Sequence, residues 1–140
     1  MPLSLDSFRK AIIAMRGVST RSKDEYFMAS LDRITQDAIR AGVIQHFEFT
    51  YELAWKFMKR WLELNVGATV VDGVTRRELF RHAAEQRLIS DVEAWMRFHD
   101  ARNISTHTYE PEVADEVLRI AYAFLPEAQS LLENLEVRND

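Results

Sequence analysis

Apolar residues recur every three or four positions along almost the whole chain, which is the spacing of amphipathic α-helices. Leu5, Phe8, Ile12 and Met15 form the first stripe and predict a helix closing near Gly17. Ser22-Lys23-Asp24-Glu25 reads as a capping box, a hydroxyl and a carboxylate three residues apart that satisfy the free amides of a helix start. The helical run behind it continues to about Asn65, with Gly42 as the expected break or kink. Within that run, Ile44, Phe47, Tyr51, Ala54, Met58 and Trp61 make one stripe, and Phe49, Leu53 and Phe57 a second on another face. A helix apolar on two faces is buried on two sides. It is either the central helix or one that meets another subunit, and a homodimer packed partly through residues 43–61 is the expectation.

Val66-Gly67 to Gly73 reads as a loop, and Thr75-Arg76-Arg77-Glu78 as a second capping box that opens a short helix to about Arg87. Ser90-Asp91-Val92-Glu93 is a third, opening a helix through Val92, Trp95, Met96 and His99 that gives way between Asn103 and Thr106. Pro111 suits the first turn of a last helix, where a missing amide costs nothing. Val113, Val117, Ile120, Phe124, Ala128 and Leu131 carry its stripe, and Pro126 inside it predicts a bend one turn earlier. The expected fold class is all-α, an up-and-down four-helix bundle with an extra short helix, forming a single domain over residues 1–140.

Composition narrows the chemistry. Four Gly and three Pro leave little material for the turns of a β-sandwich or barrel. The absence of Cys excludes disulfides, thiolate metal sites and a Cys nucleophile. No apolar run approaches the roughly 20 residues of a membrane span, and Met1-Pro2-Leu3-Ser4 lacks the basic region and apolar core of a signal peptide. A soluble, cytoplasmic protein with no membrane contact is expected. The net charge of -4 is unevenly spread: residues 1–109 carry 16 basic and 14 acidic side chains, residues 110–140 two and eight. The acidic tail is a poor surface for nucleic acid, so a polyanion would approach the Arg-containing middle.

Known catalytic patterns are mostly missing. There is no Glu-x-x-His pair, no His-Glu-x-x-His, no phosphate loop, no nucleophile elbow and no dinucleotide fingerprint. Neither a metal nor a cofactor is implied. Glu48 and Glu52 share a helix face, but Lys56 lies four residues after Glu52 and an ordinary salt bridge is expected there. The Gly-Ser and paired Asp that a nucleotidyltransferase uses to hold magnesium are also absent, so this chain is not a catalytic transferase. What remains is Arg102-Asn103-Ile104-Ser105-Thr106-His107-Thr108-Tyr109, where a helix yields to a loop before Pro111. Arg offers a fixed cation and a fork of donors for a phosphate, His a proton donor or acceptor near neutral pH, and Asn can orient either. Similar Arg/His spacings occur at Arg40/His46, Arg76/His82 and Arg77/His82, so context has to decide.

In context, Arg102-Asn103 … His107-Thr108-Tyr109 resembles the Arg-x4-His-x-Tyr signature of HEPN domains. These are helical bundles often encoded beside a minimal nucleotidyltransferase. The stretch from Ile44 through Phe47, Tyr51 and Trp55 to Lys56 resembles a second block, typical of the branch called nucleotidyltransferase substrate-binding proteins. Residues 18–42 run longer than that branch's pattern. The resemblance implies a four- or five-helix bundle, usually a homodimer, partnered by a minimal nucleotidyltransferase and open to RNA or a nucleotide. It implies metal-free RNA cleavage in which Arg102 holds the scissile phosphate, His107 moves protons and Asn103 supports both. It also implies a toxin–antitoxin arrangement in which the transferase adenylylates Tyr109 and silences the nuclease. Two alternatives stay open: a binding subunit that presents a substrate to the transferase, and a plain helical homodimeric scaffold without catalytic activity.

Overall fold

Four side-chain oxygens start four helices. Asp24, Asp32, Thr75 and Asp91 accept the backbone amides of Phe27, Thr35, Glu78 and Ala94 at 3.0, 2.7, 3.2 and 3.0 Å. Each thereby satisfies one of the amides that a helix start leaves free. The structure is a computed structural model and describes residues 3–139; the Met1-Pro2 pair read above for the absence of a leader lies outside them. In chain order the helices are α1 (Asp6–Lys23), α2 (Glu25–Ala29), α3 (Arg33–Asn65), α4 (Ala68–Val71), α5 (Arg76–Glu85), α6 (Val92–Ile104) and α7 (Pro111–Val137). A 3₁₀ turn, Ser105–His107, joins α6 to the last connection. The fold is all-α, with no strand among the described residues.

The bundle is built by α1, α3, α6 and α7. α3 packs on α1 and α7, and α7 packs on α1 and α6. Phe124 of α7 sits at the middle, its ring edge-on to Phe47 at 5.3 Å, Trp95 at 5.7 Å and Phe98 at 5.2 Å. Edge-to-face rings fill a core and gain from the complementary charge of face and rim. None of the helices among the described residues is long and apolar enough to cross a membrane.

Several local expectations shift. α1 continues through Gly17 to Lys23, because buried Ser19 and partly buried Val18 prolong its packed face. Ser22 opens nothing. Its hydroxyl donates back to the Ser19 carbonyl at 2.8 Å, and Asp24 caps α2 instead. The long run breaks at residues 30–32, ahead of the Asp32 cap, and Gly42 is an ordinary helical position of α3. The loop expected over residues 66–73 contains α4. The third capping site belongs to Asp91 rather than Ser90, and α5 closes early because Arg87 takes a left-handed φ of 62°. Pro126 lies inside the continuous α7, with Phe124 and Ala128 buried on either side.

The second apolar face of α3 divides in two. Phe57 stacks on Phe8 of α1 at 5.7 Å, so it serves the core of its own chain. Leu53 packs partly on that core, while Phe49 remains 58% exposed.

Candidate functional site

The corner between α6 and α7 is short and tightly bonded. The Ser105 amide donates to the Arg102 carbonyl, the Glu110 amide to the His107 carbonyl at 3.1 Å, and Pro111 opens α7 directly afterwards. The motif residues are therefore fixed at one end of the bundle by backbone, before any side chain is considered.

Arg102 lies in the last turn of α6 and reaches across to α3. Its Nη1 is 3.2 Å from Glu48 Oε2, and its Nε is 3.5 Å from Glu52 Oε1. The first contact is a hydrogen-bonded ion pair; the second is a contact of charges only, since Nε has no aligned acceptor. Glu48 and Glu52 point the same way because four residues make just over one helical turn. Arg102 Nη1 also donates to the buried Ser105 hydroxyl at 3.3 Å. That hydroxyl faces both Glu48 Oε2 and the Arg102 carbonyl, two acceptors for one hydrogen. Arg102 and Glu48 are partly buried, at 31% and 27% side-chain exposure, so water screens their attraction less than it would on an open surface. The Glu52–Lys56 bridge expected from spacing does not form. Glu52 Oε2 accepts the Trp55 indole N–H at 3.0 Å, and the Lys56 ammonium lies 5.7 Å from the Trp55 ring centre.

Asn103, the neighbour of Arg102, turns elsewhere. Its Nδ2 lies 3.4 Å from His99 Nε2, and His99 Nδ1 lies 2.9 Å from the Tyr51 hydroxyl. Burial lowers the His99 pKa, and the nearby Arg76 charge lowers it further. Burial pushes the Tyr51 phenol well up. Both side chains are therefore neutral near pH 7, and the tautomer of His99 decides which of them donates.

His107 and Tyr109 form the third group. His107 Nδ1 is 3.2 Å from the Tyr109 hydroxyl, and the two rings meet edge to face at 5.8 Å. Tyr109 is 76% exposed. The four candidate residues thus fall into three sets: Arg102 with its carboxylates, Asn103 with His99, and His107 with Tyr109. Among the described residues no hydrogen bond or ion pair links Arg102 to His107. An open cavity of about 860 Å³ lies between the first half of α3 and the start of α7 and reaches Tyr109, Glu48 and Ser105. Sequence reasoning saw that Glu48 and Glu52 share a face but missed their partner, and it passed over Ser105, His99 and Tyr51. No group of three His, Asp or Glu residues is gathered for a metal among the described residues.

The whole chain resembles known proteins at the level of family and fold. A family model described as "Nucleotidyltransferase substrate binding protein like" matches residues 3–137. The chain belongs to this family. Within the substrate-binding family, it is 34% identical over 138 residues to the Haemophilus influenzae protein called "Probable ribonuclease HepT", covering 98% of this chain and 94% of that one. A solved Haemophilus influenzae structure, described as the fold of a substrate-binding domain of a nucleotidyltransferase, superposes with a TM-score of 0.91 at 33% identity. That match covers 95% of this chain and 99% of the other. A Thermus thermophilus crystal structure matches with a TM-score of 0.62 at 25% identity, over 91% and 97% of the two chains. The resemblance read from the two sequence blocks is borne out at the level of family and fold.

Proposed function

We propose that this chain is the accessory, substrate-binding subunit of a two-component minimal nucleotidyltransferase system, and that it is a metal-independent endoribonuclease restrained by its transferase partner. The family match and the ribonuclease name of a relative support the two halves of this reading. The single observation that carries the chemistry is the α6–α7 corner, which holds a partly buried guanidinium and an exposed imidazole at one end of the bundle. Arg102 binds the scissile phosphate and stabilises the charge that builds on it. The strand's own 2′-hydroxyl attacks the adjacent phosphorus, and the bond to the 5′-oxygen breaks. His107 takes part in moving the proton from the 2′-oxygen or onto the leaving 5′-oxygen. Asn103 supports both. Arg102 and His107 share no direct bond within one chain, which favours a site completed by a second copy, so the active form is a homodimer. Residues 1–140 act as one domain, in the cytoplasm.

Tyr109 is the restraining position. In the transferase, its phenol oxygen attacks the α-phosphorus of ATP, pyrophosphate leaves, and the phenol proton passes to a base of the transferase. The added phosphate lies beside His107 and competes with RNA for the corner. The test is co-expression with the transferase partner followed by intact-mass measurement and RNA cleavage. The expected result is a gain of one or more AMP units, lost in Tyr109→Phe, with cleavage by the unmodified chain that survives EDTA. Arg102→Ala and His107→Ala should each reduce cleavage by about 10²–10⁴ while helical content is kept. An unchanged mass beside an active transferase, together with no cleavage of varied RNAs, would overturn the reading in favour of substrate presentation without chemistry.

A further inference from the structure

Trp55 of α3 is a platform for cations. The Arg76 guanidinium carbon lies 3.5 Å from its ring centre, close enough for a flat stack. Lys59, one turn further along α3, joins Arg76 and the Trp55 ring around a small cavity of about 180 Å³. The rest of the lining is Thr75 and apolar side chains, with no carboxylate. The Thr75 hydroxyl is engaged by Glu78 at 3.1 Å, so the two cations define the cavity's character. Neither Arg76 nor Lys59 has an ion-pair partner among the described residues. Arg76 Nη1 is buried and has no hydrogen-bond acceptor. A charged donor that has lost water without gaining an acceptor is an exception among folded proteins, and Arg76 carries it beside a cavity that holds no carboxylate.

The position of this cavity identifies the anion. The Trp55 N–H binds Glu52 Oε2 at 3.0 Å, and Glu52 Oε1 lies 3.5 Å from Arg102 Nε. One indole and one carboxylate therefore link the two guanidinium groups. We propose that Arg76 and Lys59 form a second phosphate subsite, which grips the backbone of an RNA strand away from the phosphate held by Arg102. The stack on Trp55 fixes the plane of the Arg76 fork, so the donors are aimed before the strand arrives. The subsite reads no base, and its contribution is independent of RNA sequence. It rests on the ribonuclease reading and adds to it how the strand is laid across the protein.

The experiment measures binding of labelled single-stranded RNA to the full-length chain carrying His107→Ala, over a series of salt concentrations. Arg76→Gln and Lys59→Gln should each weaken binding several-fold for every sequence tried. Each should also flatten the slope of log affinity against log salt by about 0.7, the loss of one phosphate contact on a single strand. Arg76→Lys, which keeps the charge and loses the fork, should restore most of the slope. Circular dichroism and thermal melting of the same variants separate this effect from unfolding, and the Lys59 variant tests the subsite without touching the Trp55 stack. An unchanged salt slope in both Gln variants, beside a clear loss in Arg102→Gln, would overturn the subsite and leave the ribonuclease reading standing. No RNA binding by any form at low salt would overturn both.

Discussion

At the scale of single residues, the histidine that carries a pH signature lies outside the motif. His99 is held between the Tyr51 hydroxyl and the Asn103 amide, with burial and the Arg76 charge both lowering its pKa. In the unfolded chain it binds its proton near the ordinary value of 6.5; in the fold that value is lower. Between the two, the unfolded state carries more protons, so stability rises with pH. The contribution is complete above the unfolded value and is lost as pH falls through the native one. Melting temperature measured from about pH 5 to about pH 7 should rise more steeply for the wild type than for His99→Gln; equal slopes would show that His99 does not titrate in a buried setting. The sequence made Arg102, Asn103, His107 and Tyr109 legible because the motif is local. It hid the Glu48 and Glu52 partner of Arg102, because that contact joins α3 to α6 and spacing along the chain offered Lys56 as a nearer candidate.

At the scale of elements, signals that act within one turn held, while those that tertiary packing can override did not. Thr75 and Pro111 stand where the sequence puts them, since a cap and an N-terminal proline act through their own turn. The sequence pattern puts an end at Gly17 and a break or kink at Gly42, but glycine only weakens a helix, and tertiary packing on α1 and α3 overrides it. A Cβ built at Gly42 would meet Val18 Cγ2 at 3.5 Å, an ordinary contact. Gly42→Ala should therefore stabilise the protein by up to about 1 kcal/mol through helix propensity. That corresponds to a rise of roughly 3 °C in Tm, readable by calorimetry. A fall in Tm would mean that α1 and α3 approach more closely than this contact allows, or that the helix is bent at that position. The actual break, over residues 30–32, was obscured because Ser22 and Glu25 together imitate a capping box one short helix too early.

At the scale of the whole molecule, the all-α class followed directly from a period that runs nearly end to end, while the use of each face did not. Phe57 was grouped with Phe49 by the α3 pattern, yet it is taken up by Phe8 of the same chain. Phe49 is what remains to meet a second copy. The expected assembly is a homodimer, and sedimentation at micromolar concentration should show about twice the 16.4 kDa of one chain. Phe49→Asp should shift it toward the monomer, since removing an aromatic anchor from an interface commonly costs about 2 kcal/mol or more. Because Phe49 is 58% exposed in the single chain, the variant should keep its helical content. A wild-type monomer at those concentrations would remove the composite nuclease site as well as the interface.

The carboxylate pair makes Arg102 a site of ion exchange. Glu48 and Glu52 are anions already seated on the guanidinium, and their attachment to α3 gives them a local concentration that a dissolved phosphate does not reach. In the proposed nuclease, a strand would gain Arg102 only by displacing them. Its affinity there reports the difference between phosphate and carboxylate at one cation, rather than the whole attraction of either. Weak or stray anions fall below that threshold, while a chain of phosphates, able to hold on elsewhere during the exchange, clears it. On the proposed reading, the two glutamates would trade grip for discrimination at the same nitrogen atoms that they keep in aim.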